Sequence, residues 1–406
     1  MPQRKGPSGT RTYSLPFLGA YFFYYGGYCI FSSYIVMYLT HMGYRAVTCG
    51  LITSLTLMAN LLMEPVGGYI TDTFLSTRRY LAVCVGLICA LCLFCTWNAG
   101  QPWLCLPAMV LTAGLSYPFS QLLDAWVNCS RSLDQGLVYS RIRAGGSIGY
   151  AVTSIAAGYY FQQFGWSTYF LAQAVFFLAV LPFLAGLPEI SLENSPASDR
   201  KQSNLSPLAC VQIILHSRPY ILCLVICTVY WFSHRPVGSY LSLIVEARSG
   251  DPGTYGSVCG VGAATEFLGL LALGAAQRRR SLTPEVCIGS ALGLGILRPL
   301  CILMFPGVWP LYLGQILQSL SFALFYTGSV EWFTRTAHPR IRSFCISVGL
   351  TVSSVGGTIA ANLLGGGLCD WLGPGALLWL SLAVSIGNGA LFLMCRTQKT
   401  TPYNCK

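Results

Sequence analysis

The stretch YSRIRAGGSIGY, residues 139–150, has a counterpart in HPRIRSFCISVG, residues 338–349, which begins 199 positions later. A second pair, GGYITDTFLSTRRY and GLLALGAAQRRR, aligns residues 68–78 with residues 269–279 at an offset of 201. The two offsets agree within two residues, although the pairs lie in different parts of the chain. Internal similarity at one offset indicates a duplicated structural unit. The sequence therefore predicts two repeated halves.

The composition is that of a membrane protein. Of 406 residues, 54% are hydrophobic and only 9% are charged, whereas soluble domains carry about 25% charged residues. Twelve apolar windows are each long enough to span a bilayer as a helix. They lie near residues 15–39, 46–70, 80–98, 102–125, 142–163, 166–187, 218–245, 254–276, 285–305, 308–330, 343–366 and 374–395. We therefore predict an all-α polytopic membrane protein with twelve transmembrane helices in two six-helix, pseudo-repeated bundles.

The distribution of basic residues predicts the orientation. The formal net charge is +11, and the Lys and Arg outside the windows fall on one set of alternate connections, except for Arg45 and Arg248. Because cytoplasmic loops are enriched in Lys and Arg, we expect both termini in the cytoplasm and the protein in the plasma (inner) membrane. The net positive charge is therefore explained by the Lys and Arg of the cytoplasmic connections. We expect the lipid bilayer but no nucleic acid as a partner, and a monomer.

A polar segment rich in Ser, Asn and Pro separates the sixth window from the seventh, and its composition favours a flexible cytoplasmic linker. The predicted organisation is a cytoplasmic N-terminus (1–14), an N-terminal bundle (15–187), the linker (188–217), a C-terminal bundle (218–395) and a cytoplasmic tail (396–406). Repeated halves that rock about a central site are a recurring transporter design.

The 18 cysteines do not indicate a metal site. Most lie singly within apolar windows, where cysteine behaves as a small hydrophobic residue. The richest stretch, CVGLICALCLFC at residues 84–95, has no paired C-x-x-C motifs with a histidine partner. We expect no metal and no cofactor. The sequence also lacks a G-x-x-x-x-G-K-[ST] phosphate loop, which argues against transport driven by ATP.

Charged side chains inside a bilayer are rare, and they mark functional sites or paired structural contacts. The windows contain three acids, Glu64, Asp124 and Glu266, and three arginines, Arg143, Arg235 and Arg298, with His234 beside Arg235. This near-balance is expected if the charges face one another across an internal cavity.

Asp124 and Arg143 form the best candidate pair. Each lies about nine residues from the centre of the connection between helices four and five, so an antiparallel hairpin brings them to similar depth. A carboxylate accepts and a guanidinium donates, so a solute with several hydroxyl groups can insert between them. Two alternatives stay open: a static ion pair that locks the hairpin, and, because Arg342 is the equivalent residue in the second half, a cytoplasmic anchor role for Arg143.

Glu266 lies in the middle of its window, too far from either end for its short side chain to reach water. It therefore needs a partner or a proton, and Arg298 and His234 lie at comparable depth. These three residues are candidates for proton coupling, and a fixed salt bridge is the structural alternative. Glu64 is a fourth candidate, although it could instead bond backbone groups freed by Pro65.

Gly68, Asp72, Arg78 and Arg79 lie in the predicted loop between helices two and three. Close packing at Gly68 and ion pairs of Asp72 would hold one conformation closed, a gating role without contact to the solute. Helix one contains YFFYYGGYCIFSSY, residues 21–34, whose tyrosines beside paired glycines could line a cavity. Packing or an interfacial belt is the alternative for these aromatic rings.

These segments resemble the major facilitator superfamily, and more narrowly the branch that contains lactose permease and phenylpropionate permease-like proteins. The similarity extends over all twelve windows. EPVGGYITDTFLSTRRYL resembles the signature between helices two and three, and YSRIRAGGSIGYAV is the most specific match. The resemblance implies a sugar contact for Arg143 and ring stacking for Tyr150, where the permease has tryptophan. It also implies a functional glutamate at Glu266, the helix-nine arginine at Arg298 and the helix-four acid at Asp124.

Helix ten departs from that pattern. Lactose permease carries a histidine and a glutamate there for proton coupling, whereas this chain reads GQILQSLSFALFYTG, with Gln318, Ser321 and Leu324 at the candidate positions. Coupling would then depend on the acids and bases of other helices, or be absent.

We predict a secondary transporter, not an enzyme, that imports a small polar organic solute with a proton by alternating access. Sugars or nucleoside-like solutes are the first candidates. We expect the solute to be bound by Asp124, Arg143, Tyr150 and Glu266. Two alternatives keep the same fold: transport of an aromatic or other organic carboxylate held by Arg143 or Arg235, and an uncoupled facilitator.

Overall fold

The computed structural model describes residues 13–130, 134, 136–188, 207–279, 283–338 and 341–397. Its regular structure is helical throughout these ranges, and we number the twelve long helical segments α1 to α12. They are α1 Ser14–His41, α2 Ala46–Thr73, α3 Thr77–Trp97, α4 Pro102–Ser116 with Pro118–Ser130, α5 Tyr139–Phe164, α6 Trp166–Ala185, α7 Arg218–Ser239 with Leu241–Glu246, α8 Pro252–Arg279, α9 Pro284–Met304, α10 Trp309–Thr336, α11 Arg342–Thr351 with Val352–Gly356 and Gly357–Leu372, and α12 Gly375–Thr397. The prediction of an all-α protein with twelve long helices is confirmed.

Nine helical segments in the described ranges are long and apolar enough to cross a membrane. The other three long helices, α1, α5 and α10, have a similar length, 28, 26 and 28 residues, and contain tyrosine, serine and glycine among their apolar residues. Polar side chains of a membrane helix face the bundle interior rather than lipid. These three helices are therefore the first place to search for a solute site.

Part of the predicted linker is helical. Residues 207–216, PLACVQIILH, form a short helix immediately before α7, whereas the sequence favours a flexible segment over 188–217. Its mostly apolar residues follow a proline at the first helical position, which is favourable at a helix start. Residues 189–206 of the predicted linker and residues 280–282 lie outside the described ranges. So do the two terminal segments, except for residues 13, 14, 396 and 397.

The predicted loop between helices two and three is a short turn. α2 continues to Thr73 and α3 begins at Thr77. The four proposed gating residues therefore lie in helices rather than in a loop, Gly68 and Asp72 in α2 and Arg78 and Arg79 in the first turns of α3. The sequence misplaces them because threonine, aspartate and glycine are weak helix formers that packing overrides here.

The helices form two compact units whose borders do not coincide with the sequence halves. The first unit comprises the described parts of Met1–Ser33, Leu55–Ser154 and Phe164–Asp199. The second comprises those of Tyr34–Ser54, Ile155–Gln163 and Arg200–Lys406. The second unit thus includes the end of α1, the start of α2 and the end of α5. We call this end of the helices, where α1 finishes and α2 begins, the distal end.

Each unit has an aromatic core. In the first unit, the rings of Tyr24 and Phe119 stack at 5.2 Å, and the fully buried Trp126 donates from Nε1 to the carbonyl oxygen of Pro188 at 3.1 Å. In the second unit, a buried cluster contains residues of the short helix and of α7, α9, α10, α11 and α12, among them Tyr220 and Phe333, whose rings lie 5.4 Å apart. Such buried aromatic rings fix the crossing points of neighbouring helices.

Glycines let α5 cross α1 at very short range. A Cβ atom on Gly149 would lie 2.3 Å from the carbonyl oxygen of Phe22, and one on Gly146 would lie 2.6 Å from the ring of Tyr25. The first contact is with backbone, which cannot swing aside as a side chain can. The small-residue run AGGSIG in the repeated stretch is therefore a packing surface for α1.

We expect Gly149→Val to separate α1 from α5 and to destabilise the protein by about 1–3 kcal/mol, as overpacking typically does. The measurement is the thermal unfolding of purified protein in detergent. Gly86→Val is the matched control, because Gly86 lies within α3 and a Cβ there would meet nothing within 4 Å. Equal unfolding temperatures for the two variants would contradict the close crossing.

Candidate functional site

Asp124 and Arg143 meet inside the first unit, as predicted from their equal spacing from the connection between helices four and five. The Nε atom of Arg143 on α5 lies 3.9 Å from Oδ1 of Asp124 on α4, and the two side chains are 37% and 30% exposed. Both charges are thus paired but remain accessible, although they lie within membrane helices. Charges in this situation face a polar cavity rather than lipid.

Two tyrosines of α1 hold this ion pair from one side. The hydroxyl of Tyr21 donates to Oδ1 of Asp124 at 2.5 Å, and the guanidinium carbon of Arg143 lies 4.5 Å from the centre of the Tyr25 ring. The first contact is a charge-assisted hydrogen bond and the second is a cation–π contact. Each charged group therefore has its own tyrosine, which restricts its orientation.

The spacing of the tyrosines along α1 explains this arrangement. Tyr21 and Tyr25 are four residues apart, so they lie on one face of the helix, and their rings are nearly parallel, 6.2 Å apart with an angle of 12°. Tyr21 is fully buried, whereas Tyr25 is only partly buried. The missing side chain of Gly146 leaves the space that the Tyr25 ring occupies. Sequence reasoning points to the aromatic stretch but does not single out these two residues.

Tyr150 lies on the same face of α5 as Arg143. Seven residues separate them, which corresponds to about 10 Å along the helix. The Tyr150 hydroxyl lies 2.6 Å from the hydroxyl oxygen of Ser33 on α1, and the ring is partly buried. Tyr150 thus extends the polar face of the first unit away from the ion pair. Ser33 is another residue of this face that sequence reasoning does not identify.

Three of the four proposed coupling residues lie in the second unit, and Glu64 lies in the first. Arg298 on α9 is only 1% exposed, and its Nη1 donates to the backbone carbonyl of His234 on α7 at 3.2 Å. The structure thus brings Arg298 and His234 together, but through the histidine backbone. Arg298 Nε and His234 Nε2 have no hydrogen-bond partner among the described residues. Glu266 is partly buried in α8 of the same unit.

Helix ten contributes hydroxyl groups to this region. The hydroxyl of Ser321 donates to the carbonyl oxygen of Ala291 at 2.8 Å and lies 3.0 Å from the hydroxyl of Tyr230. The Tyr230 ring in turn stacks on the imidazole of His234 at 5.0 Å. Nearby on α7, the exposed Arg235 places its guanidinium 4.8 Å from the centre of the Trp231 ring.

Glu64 lines a groove of about 480 Å³ in the first unit. The groove is bounded by Leu61, Glu64, Pro65, Gly68, Pro118, Gln121 and Leu122. Glu64 is partly buried. The prediction of close packing at Gly68 is wrong, because a Cβ atom on this glycine would meet nothing within 4 Å. The close contact at this level is made by Gly67, where a Cβ would lie 3.0 Å from the Tyr80 hydroxyl. Asp72 and Arg79 are exposed and Arg78 is partly buried.

Among the described residues, no group of three or more His, Cys, Asp or Glu side chains is arranged to hold a metal ion.

Known transporters resemble the chain in sequence and in fold. A maltose permease of Geobacillus stearothermophilus is 22% identical over 268 residues, which cover 66% of this chain and 66% of that protein, just under two thirds of its length. The solved structure of the nucleoside transporter NupG superposes with a TM-score of 0.82 at 14% identity, covering 96% of this chain and all of NupG. A peptide transporter POT in complex with sulfate gives a TM-score of 0.70 at 14% identity, covering 97% and 95%.

At such identities the solved structures support the fold alone. The sequence profile described as the MFS_1 like family, by contrast, matches residues 16–379, which include the ion pair and its tyrosines, all four proposed coupling residues and ten of the twelve long helices in full. This chain accordingly belongs to the MFS_1 like family of the major facilitator superfamily, and it is a membrane transporter of small molecules rather than an enzyme.

Proposed function

We propose that this transporter is a proton-coupled symporter that moves a small, neutral, hydroxyl-rich solute of the sugar or nucleoside class by alternating access. The observation that carries this proposal is the accessible ion pair of Asp124 and Arg143, with each charge oriented by a tyrosine of α1. The names of the maltose permease and nucleoside transporter relatives agree with this class of solute. The narrower resemblance to the lactose permease branch points in the same direction.

The chemistry of the pair favours a neutral solute. Asp124 accepts hydrogen bonds and Arg143 donates them, and a hydroxyl group does both. Because the two charges compensate each other, a neutral solute enters without leaving a buried charge unpaired. The partly buried ring of Tyr150 supplies an aromatic surface for a sugar or base ring, so the proposed site combines charged groups with an aromatic group.

An organic carboxylate is the second candidate solute. It is favoured by the exposed guanidinium of Arg235, which lies over the Trp231 ring within a membrane helix. A guanidinium beside an aromatic ring suits a planar molecule with a carboxylate. A panel that contains neutral and anionic solutes separates the two candidates, since only the anion should depend on the charge of Arg235.

The other assignments belong to the same proposal. Glu266 would exchange the proton, with His234 and Arg298 as neighbours that respond to its charge, and Glu64 in its groove is the alternative carrier. Gly68, Asp72, Arg78 and Arg79 would gate the end of α2 without touching the solute. We propose a monomer in the plasma (inner) membrane with both termini in the cytoplasm. The N-terminal bundle, linker and C-terminal bundle would be residues 15–187, 188–217 and 218–395.

The first experiment presents sugars, nucleosides and organic acids to the protein reconstituted in liposomes. With the solute that is taken up, we expect Arg143→Gln and Asp124→Asn each to lower kcat/KM by about 10- to 100-fold, since a hydrogen bond to a charged group contributes about 1.5–3 kcal/mol. The double variant should lose less than the sum of the two effects, because neither charge is then left unpaired.

Arg141→Gln is the matched control for these variants, because Arg141 lies on the same helix, two residues from Arg143, and is exposed. Uptake that is unchanged in both site variants, or equally reduced in the control, would reject the ion pair as the solute site.

We expect Tyr21→Phe to raise KM by about 5- to 10-fold, because it removes one charge-assisted hydrogen bond to Asp124 but keeps the buried ring. Tyr24→Phe serves as the control, since the Tyr24 ring stacks on Phe119 rather than on the ion pair. The readout is solute uptake against concentration. An equal rise of KM in the two variants would mean that the Asp124 contact has no special role.

Proton coupling is tested by the pH outside the liposomes during uptake. We expect solute-dependent alkalinisation with the unmodified protein and its loss in Glu266→Gln, whose neutral side chain can no longer exchange a proton. Exchange of labelled for unlabelled solute should persist in this variant, because it needs no net proton movement. Uptake without alkalinisation by the unmodified protein would establish an uncoupled facilitator, and loss only in Glu64→Gln would transfer the role to Glu64.

A further inference from the structure

The start of α2 is capped by an acid from a distant helix. Oδ1 of Asp370, near the end of α11, accepts from the backbone N–H of Ala46 at 2.8 Å, and Oδ2 accepts from that of Val47 at 3.0 Å. Arg45 contributes its Nε at 3.6 Å from Oδ2. An N-terminal cap normally comes from the residue that precedes the helix. Here that residue is arginine, and the cap comes from 324 positions away.

A buried tyrosine joins a third helix to the same point. Tyr240, at the bend that ends the first part of α7, is 1% exposed. Its hydroxyl lies 2.6 Å from the carbonyl oxygen of Asn362 on α11 and 3.3 Å from that of Ala46 on α2. The single hydroxyl hydrogen therefore bridges the backbones of two helices.

The two backbones touch because glycine stands on both sides. A Cβ atom on Gly50 of α2 would lie 2.3 Å from the carbonyl oxygen of Asn362, and one on Gly366 of α11 would lie 2.6 Å from that of Ala46. The backbones of α2 and α11 therefore approach each other directly, and the polar contacts of Asp370 and Tyr240 join them at this point.

The sequence repeat supplies a second crossing of the same kind in the second unit. An offset of about 200 residues relates α2 to α8 and α5 to α11. Gln162 at the end of α5 donates from Nε2 to Oδ2 of Asp251 at 2.7 Å, and a Cβ on Gly158 would lie 2.4 Å from the carbonyl oxygen of Pro252. Both pairs of helices thus cross with a glycine against a carbonyl and an acid at a helix start.

The two crossings differ in whether the capping acid belongs to the helix that it caps. Asp251 precedes α8 and accepts from the N–H of Thr254 at 2.7 Å, so it caps its own helix. The Thr254 N–H also holds the pKa of the Asp251 carboxyl below its usual value. If α5 and α8 separate, α8 keeps its cap. If α2 and α11 separate, the N–H groups of Ala46 and Val47 lose the Asp370 carboxylate, so the state of this contact changes when the crossing opens.

We propose that Asp370 is the release point of a distal gate: its carboxylate holds the distal ends of α2 and α11 together, and its dissociation opens that end of the transporter. The proposal rests on transport by alternating access, but on neither the identity of the solute nor proton coupling. The Asp370 side chain is 14% exposed and that of Arg45 is 79% exposed, so water has direct access to the contact. Dissociation then exchanges hydrogen bonds with protein for hydrogen bonds with water, as a reversible gate requires.

The test is backbone hydrogen exchange, measured by mass spectrometry on the whole protein in lipid nanodiscs without solute. In Asp370→Ala, residues 46–50 lose their cap and exchange faster whatever the role of Asp370. If Asp370 holds a gate closed, hydrogen exchange should also change at the crossing of α5 with α8. We expect about tenfold faster exchange in residues 155–163 and 252–258, because separation of α2 from α11 should expose the contact of α5 with α8 as well.

Glu285→Gln is the matched control. Glu285 lies in the first turn of α9 and pairs with Arg335 at 3.9 Å, so its change also removes an acid from a helix start. Exchange in residues 155–163 and 252–258 should be unchanged in this variant. Asp370→Asn, which keeps the size of the side chain but not its charge, should give an intermediate effect.

Faster exchange confined to residues 46–50 in both Asp370 variants would overturn the proposal and reduce Asp370 to a local helix cap. Because this measurement needs no solute, its outcome is independent of the uptake experiments. A failure to find the substrate would leave it intact, and a failure of the gate would leave the ion-pair site intact.

Discussion

A charge within a bilayer must be paired or reach water, and this constraint governs the interior of the protein. Asp124 and Arg143 satisfy it in two ways, since they lie 3.9 Å apart and both remain partly exposed. Arg298 is instead buried, with a hydrogen bond from its guanidinium to the backbone carbonyl of His234. This difference in exposure is the reason for placing the proposed solute site at the ion pair.

The arrangement of the ion pair depends equally on groups without charge. Glycines of α5 let α1 approach closely enough for Tyr21 to reach Asp124 and for Tyr25 to lie under Arg143. A tyrosine on each charge limits the conformations of the ion pair, which would reduce the entropy cost of binding a solute at the proposed site. The repeated stretch therefore serves two purposes. Its glycines set the crossing of α1 and α5, and its Arg143 forms the ion pair with Asp124.

The distal end uses the same elements for a different purpose. Glycines again bring two backbones into contact, but here the partners are a helix cap and carbonyl oxygens rather than aromatic rings. Contacts of this kind are directional and are replaced by water at small net change in free energy, whereas the aromatic cores of the two units are not. A transporter needs both kinds of contact, since its bundles must remain intact while their ends separate.

The sequence by itself determined the helix number, the repeat and the Asp124–Arg143 pair, because hydropathy and hairpin spacing are local properties of the chain. It did not determine which tyrosines of α1 face the pair, that Arg298 bonds to the His234 backbone, or that residues 207–216 are helical. It gave no sign of the Asp370 cap, whose partners are more than 320 residues away. Such contacts depend on the rotation and crossing of packed helices, and only the tertiary structure decides these, because many side-chain pairings satisfy one hydropathy pattern equally well.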